Sequence, residues 1–165
     1  MAPMRLPTLV PTTRSIGTFS CSSARITPTC AKPRAAPPPH PIPERAPDLV
    51  CDLPTRPEAA LIYRLSGDYN PLHADPEFAA QVGFDRPILH GLCTYGYAGR
   101  AVVAGACGGD PDKLGTFRGQ FSNPVFPGDT LIVRGWSEDE QVILGVTTEE
   151  RPDKPCLSNA YAVLR

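Results

Sequence analysis

Residues 88–104 form the longest apolar stretch with helical spacing in the chain, and it is full of small residues. Gly91, Gly96, Ala98, Gly99, Ala101, Ala104 and then Gly105 lie among Leu92, Tyr95, Tyr97, Val102 and Val103. Each glycine weakens an isolated helix by about 1 kcal/mol relative to alanine. A helix of this composition therefore depends on neighbouring backbone coming close, as when a sheet wraps around it. The residues after Gly115 supply the material for such a sheet. Segments 116–122, 130–137, 141–149 and 157–164 are short β-prone runs. Pro127-Gly128-Asp129, Glu138-Asp139-Glu140 and Arg151-Pro152-Asp153-Lys154-Pro155 separate the last four as turns. Ahead of the helix, Leu49, Val50, Cys51 and Leu53 mark a first strand over 47–53. One strand, then helices, then an antiparallel run of four is an α+β layout.

The helices before residue 88 carry their own start and stop signals. Thr55 with Glu58 three residues on has the form of a capping box, with Pro57 tolerated in the first turn. Leu61, Ile62 and Leu65 mark the apolar side of that helix, and Gly67 ends it. Asp75 followed by Pro76 and Glu77 starts a second, short helix that Gly83 stops.

Residues 1–45 read differently. They hold ten prolines with many Ser and Thr and no periodic apolar face, so they cannot offset their own ordering entropy. Residues 1–43 have no Asp or Glu but carry Arg5, Arg14, Arg25, Lys32 and Arg34; the rest holds all 17 acids. This is the composition of a disordered Pro-rich extension or an organellar transit peptide for a mitochondrion or plastid, and the globular body is expected over 46–165. The net charge of −1 gives no electrostatic argument for nucleic acid. No apolar run approaches the roughly 20 residues of a membrane span. The six cysteines show neither CxxC spacing nor a zinc-type Cys/His cluster and are expected as free thiols.

Chemistry concentrates between the helices. Asp68, Asn70 and His73 fall within six positions on one short loop, and His90-Gly91 stands where the long helix begins. A carboxylate, an amide and an imidazole so placed can handle a proton and a water together. A glycine at a helix start offers a bare N–H to a carbonyl oxygen. His90 is expected to cap or pack at the helix start, and Asp85-Arg86 to be a solvated pair.

Tyr63-Arg64-Leu65-Ser66-Gly67-Asp68-Tyr69-Asn70-Pro71-Leu72-His73-Ala74-Asp75-Pro76, followed by Gly83-Phe84 and Pro87-Ile88-Leu89-His90-Gly91-Leu92, resembles the hydratase 2 motif of MaoC-like (R)-specific enoyl-CoA hydratases. Pro124-Val125-Phe126-Pro127-Gly128-Asp129-Thr130-Leu131 is similar to a second signature of that family. The likeness covers about residues 46–165 and is strongest to the C-terminal half of the two-part hydratase unit of peroxisomal multifunctional enzymes. It implies a hot-dog fold, an antiparallel sheet wrapped around one long helix. It also implies hydration of trans-2-enoyl-CoA to (3R)-3-hydroxyacyl-CoA without metal or redox cofactor. By the same resemblance Asp68 and His73 match the catalytic pair and Asn70 the residue assisting them. Tyr69, Pro71, Leu72, Gly91 and Phe121 match positions that contact the acyl-CoA thioester.

Two departures stand out. Relatives carry a basic residue where this chain has Gln120, with Arg118 two positions earlier on the same strand face. No N-terminal half-hot-dog precedes the motif, which points to a homodimer or to an inactive truncated subunit. The other reading of the chemistry is the reverse reaction, a (3R)-hydroxyacyl-carrier-protein dehydratase. The resemblance suggests a peroxisome, but Ala162-Val163-Leu164-Arg165 is not a Ser-Lys-Leu-type address.

Overall fold

The computed structural model describes residues 40–165. The expected extension up to residue 39 lies outside the described residues. The order of elements is β1 (Leu49–Pro54), α1 (Ala59–Arg64), a 3-10 turn (Pro71–His73), α2 (Pro76–Gln81), α3 (Gly91–Gly105), a second 3-10 turn (Pro111–Lys113), β2 (Leu114–Phe121), β3 (Thr130–Glu138), β4 (Gln141–Thr148) and β5 (Leu157–Leu164). The five strands form one antiparallel sheet in the order β1-β3-β4-β5-β2. Helix α3 lies against β1, β2 and β3. Its buried side, Thr94, Ala98, Ala101 and Val102, faces a core shared with Leu131, Val133, Leu144, Val146 and Leu157. This is the hot-dog arrangement, and no helix among the described residues is long and apolar enough to cross a membrane.

The small residues of α3 answer to the sheet unevenly. A Cβ at Gly105 would run into the Leu49 side chain on β1, and one at Gly91 would press on the Phe121 ring at 3.1 Å. Gly96 faces open space, so close approach explains only part of the glycine content. On the sheet, β3 and β4 are joined by a tight turn in which Asp139 takes φ +54°. Strand β5 breaks register with both neighbours near Asn159, at φ +49°. Arg118 and Gln120 both remain on the exposed side of β2, as period 2 requires.

Three local expectations give way to tertiary partners. Thr55 does not cap a helix: α1 begins at Ala59 after Glu58, which makes no side-chain cap. The Thr55 hydroxyl is instead buried, donating to the Asp129 carbonyl (2.8 Å) and accepting from the Gly128 N–H (3.0 Å). Residues 88–90 are extended rather than helical, because their backbone is held across the chain. The Ile88 N–H donates to the Leu72 carbonyl (3.3 Å) and the Leu89 N–H to the Val125 carbonyl (2.7 Å). Residues 40–45, assigned to the extension from their prolines, pack on the outer face of the sheet. The His40 ring lies 4.7 Å from that of Tyr161, and the Trp136 indole N–H donates to the Arg45 carbonyl (2.8 Å). The packed unit therefore begins ahead of Ala46. A buried indole needs an acceptor, and a segment without ladder hydrogen bonds can supply one from its carbonyls.

Candidate active site

Two consecutive side-chain turns shape the loop that bears the acid. Asp68 Oδ1 accepts from the Asn70 N–H (2.9 Å), and Asn70 Oδ1 accepts from the Leu72 N–H (3.1 Å). The chain then closes into the 3-10 turn Pro71–His73, which turns His73 inward to 9% exposure. His73 Nδ1 donates to the Ile88 carbonyl at 2.8 Å. A carbonyl can only accept, so Nδ1 carries the hydrogen and Nε2 is the nitrogen left to exchange a proton. That Nε2 lies 3.9 Å from Asp68 Oδ2.

His90, at the N-cap of α3, makes no cap bond and is not a packing residue alone. Its ring stacks on His73 at 3.7 Å between centroids with a 27° tilt, and meets Tyr63 edge-on at 4.9 Å. His90 Nε2 lies 3.9 Å from the same Asp68 Oδ2. The residue is 3% exposed, and neither ring nitrogen has a hydrogen-bond partner among the described residues. Unpaired buried polar atoms cost about 1–3 kcal/mol each. Burial first, then the neighbouring His73, hold the His90 pKa below its usual 6.5, against the pull of Asp68. Among the described residues, Asp68, His73 and His90 form a group of ligand-type atoms within 4.8 Å of one another.

Beside this cluster lies an apolar cavity of about 250 Å³ lined by His73, Ile88, Gly91, Thr94, Phe121 and Cys156, among others. Two sequence expectations meet here, Gly91 at the helix start and Phe121 at the end of β2. Desolvation pushes the Cys156 thiol up to about 11, so it stays protonated at neutral pH. Asp68 stands outside the lining and is linked to the cavity through His73. Tyr69, Asn70, Pro71 and Leu72 do not line it either. Tyr69 is 71% exposed, Asn70 spends its carbonyl oxygen on the loop, and Leu72 ties the loop to Ile88.

Arg86 is not a solvated partner of Asp85. It pairs with the buried Asp129 (3.1 Å), which Arg151 also holds, and the two guanidiniums flank the Phe126 ring at 4.7 Å each. The Asp129 carboxylate accepts from the Phe126 N–H (2.9 Å), so the Phe126-Pro127-Gly128-Asp129 turn is pinned beneath the cavity residues Pro124 and Val125. Sequence reasoning missed this clamp and the place of His90. For His90 the only signal was its position next to Gly91 in the motif.

The wrapped helix, with an acid and two imidazoles at its N-terminal end beside an apolar cavity, defines a hot-dog domain. The chain belongs to the MaoC like domain family, whose match runs over residues 39–154. It is 54% identical over 110 residues to "Enoyl-CoA hydratase 2, peroxisomal" of Arabidopsis thaliana, covering 67% of this chain and 36% of that protein. A crystal structure of a MaoC-like dehydratase from Phytophthora capsici superposes with a TM-score of 0.75 at 43% identity, over 80% of this chain and 46% of that one. The (R)-hydratase from A. caviae involved in PHA biosynthesis gives a TM-score of 0.55 at 27% identity, over 75% of this chain and 98% of that one. The chain thus spans less than half the length of the first two relatives and nearly all of the third.

Proposed function

We propose that this domain hydrates trans-2-enoyl-CoA to (3R)-3-hydroxyacyl-CoA. Water's oxygen bonds to C3 as its proton leaves, the C2=C3 π pair shifts toward the thioester, and that pair then takes a proton at C2, leaving a C2–C3 single bond. Asp68 and His73 carry the two protons. One strips water while the other supplies C2, and the product leaves with both hydrogen and hydroxyl added. His73 exchanges its proton only at Nε2, the nitrogen 3.9 Å from Asp68, because its Nδ1–H is held on Ile88. As the thioester becomes enolate-like, its oxygen gains negative charge. The first-turn N–H of Gly91 and the positive end of α3 are placed to receive it, and a donor of this kind is worth about 3–4 kcal/mol. Phe121 packs over Gly91 and would press on the bound thioester.

The observation that carries this reading is the convergence of Asp68 and His73 at the edge of an apolar cavity opened by Gly91. Its test is hydration of crotonyl-CoA by Asp68→Asn and His73→Ala. General acid–base roles predict losses of about 10²–10⁴-fold in kcat with unchanged melting temperature. Full turnover in either variant removes the pair from the reaction.

A second reading runs the same atoms backwards, as a 3-hydroxyacyl-thioester dehydratase, and is favoured by the likeness to the MaoC-like dehydratase of Phytophthora capsici. Turnover compared on CoA and carrier-protein thioesters separates the two. We further infer a homodimer. Leu92 and Ile62 stand 63% and 56% exposed around an apolar groove beside the site, and β1 and β2 are the edges of the sheet among the described residues. A peroxisomal setting is part of the same reading, since the Arabidopsis relative is named peroxisomal. A fluorescent fusion of the full chain tests it.

A further inference from the structure

We propose that His90 is a third group that holds the reacting water, alongside Asp68 and His73. This rests on the hydration reading and adds a residue that its acid–base pair does not include. His90 is 3% exposed, yet among the described residues neither ring nitrogen has a hydrogen-bond partner. A phenylalanine would fill the same space and stack on His73 without leaving buried polar atoms unpaired. An imidazole there makes physical sense if a nitrogen is used when substrate is bound.

The geometry says for what. His90 Nε2 and His73 Nε2 each lie 3.9 Å from one oxygen, Asp68 Oδ2. One polar atom from each of the three residues lies within 4.8 Å of the other two. Any three points that close fit within a sphere of radius about 2.8 Å, the length of a hydrogen bond. A single water can therefore reach all three. A metal ion fits less well. It needs about 2 Å to each nitrogen, in the plane of each ring, whereas these rings are stacked with only a 27° tilt. Lone pairs lie in the ring planes, and these two planes are nearly parallel with centroids 3.7 Å apart, an offset that aims both nitrogens poorly at one ion about 2 Å away. Water's longer hydrogen bonds accommodate that offset.

Asn70 can offer such a water only a donor from its amide N–H₂, because its side-chain oxygen accepts from the Leu72 N–H. The stack also serves the reaction mechanically. With Nδ1 of His73 on Ile88 and its face on His90, the His73 ring cannot turn its Nε2 away from Asp68.

The test uses the full chain with crotonyl-CoA as substrate and two variants. His90→Phe keeps ring, volume and stack but removes the nitrogens. His90→Gln restores a polar end near the place of Nε2. The expected result for His90→Phe is a kcat lower by about 30-fold or more with KM within about threefold and no fall in melting temperature, and for His90→Gln recovery of about tenfold. A His90→Phe kcat within about threefold of wild type overturns the inference, as does a loss that tracks a lowered melting temperature in both variants. An unaltered chain that hydrates no enoyl-CoA sinks the functional reading itself, which the Phe variant alone cannot do.

Discussion

His73 and His90 are chemically the same residue in different situations. One has its Nδ1 tied to a carbonyl and one usable nitrogen; the other has two nitrogens and no partner. That difference should be visible in stability. The folded pKa of His90 lies below 6.5, so as pH falls past that value the unfolded chain binds a proton that the folded site resists. His90 thus contributes to stability above about pH 6.5, and that contribution is lost on acidification. The groups facing it are His73, Asp68 and the Tyr63 ring. Melting curves between pH 7.5 and 5.5 should fall more steeply for wild type than for His90→Phe, and parallel curves would contradict the burial argument. Of the residues singled out from the sequence, His73, Gly91 and Phe121 line one cavity, and Asp68 reaches it only through His73. Asn70, expected to assist that pair, uses its side-chain oxygen to accept from the Leu72 N–H in this geometry. The place of His90 was not legible in the sequence, because stacking and orphaned nitrogens arise only when residues 63, 73 and 90 meet.

At the scale of elements, α3 carries two glycines of opposite meaning. Gly105 admits Leu49, which is gripped on its other side by Gly135 on β3. A methyl group at Gly105 must displace the end of the Leu49 side chain, so Gly105→Ala should cost about 1–3 kcal/mol by overpacking. Gly96 meets nothing within 4 Å, so Gly96→Ala should add up to about 1 kcal/mol through helix propensity. Urea unfolding of the two variants decides this, and equal midpoints would refute it. Strand β5 matched its expected span, and α2 took its Asp75 cap, because both signals are local. The first helix shifted because the Thr55 hydroxyl found a stronger, distant partner in the Gly128-Asp129 turn.

For the whole molecule, the homodimer proposed above rests on the exposed apolar groove and on β1 and β2, which among the described residues each pair with one strand only. Sedimentation of the purified chain should give twice the monomer mass, and Leu92→Asp should shift it towards one copy with loss of turnover. A fully active monomer would remove the dimer from the reading. By itself the sequence determined which segments are strands and helices, that the sheet is antiparallel, and which loop carries the acid and the imidazole. Those properties follow from periodicity, turn residues and spacing along a few neighbouring positions. Only the tertiary structure decided that β1 sits beside β3 with β2 at the far edge, and that residues 40–45 lie across the sheet. It also decided that Arg86 serves Asp129 and that His90 joins Asp68 and His73. Each of these is a meeting of segments separated by tens of residues, and such meetings are chosen by burial and hydrogen-bond satisfaction across the fold, which no local pattern encodes.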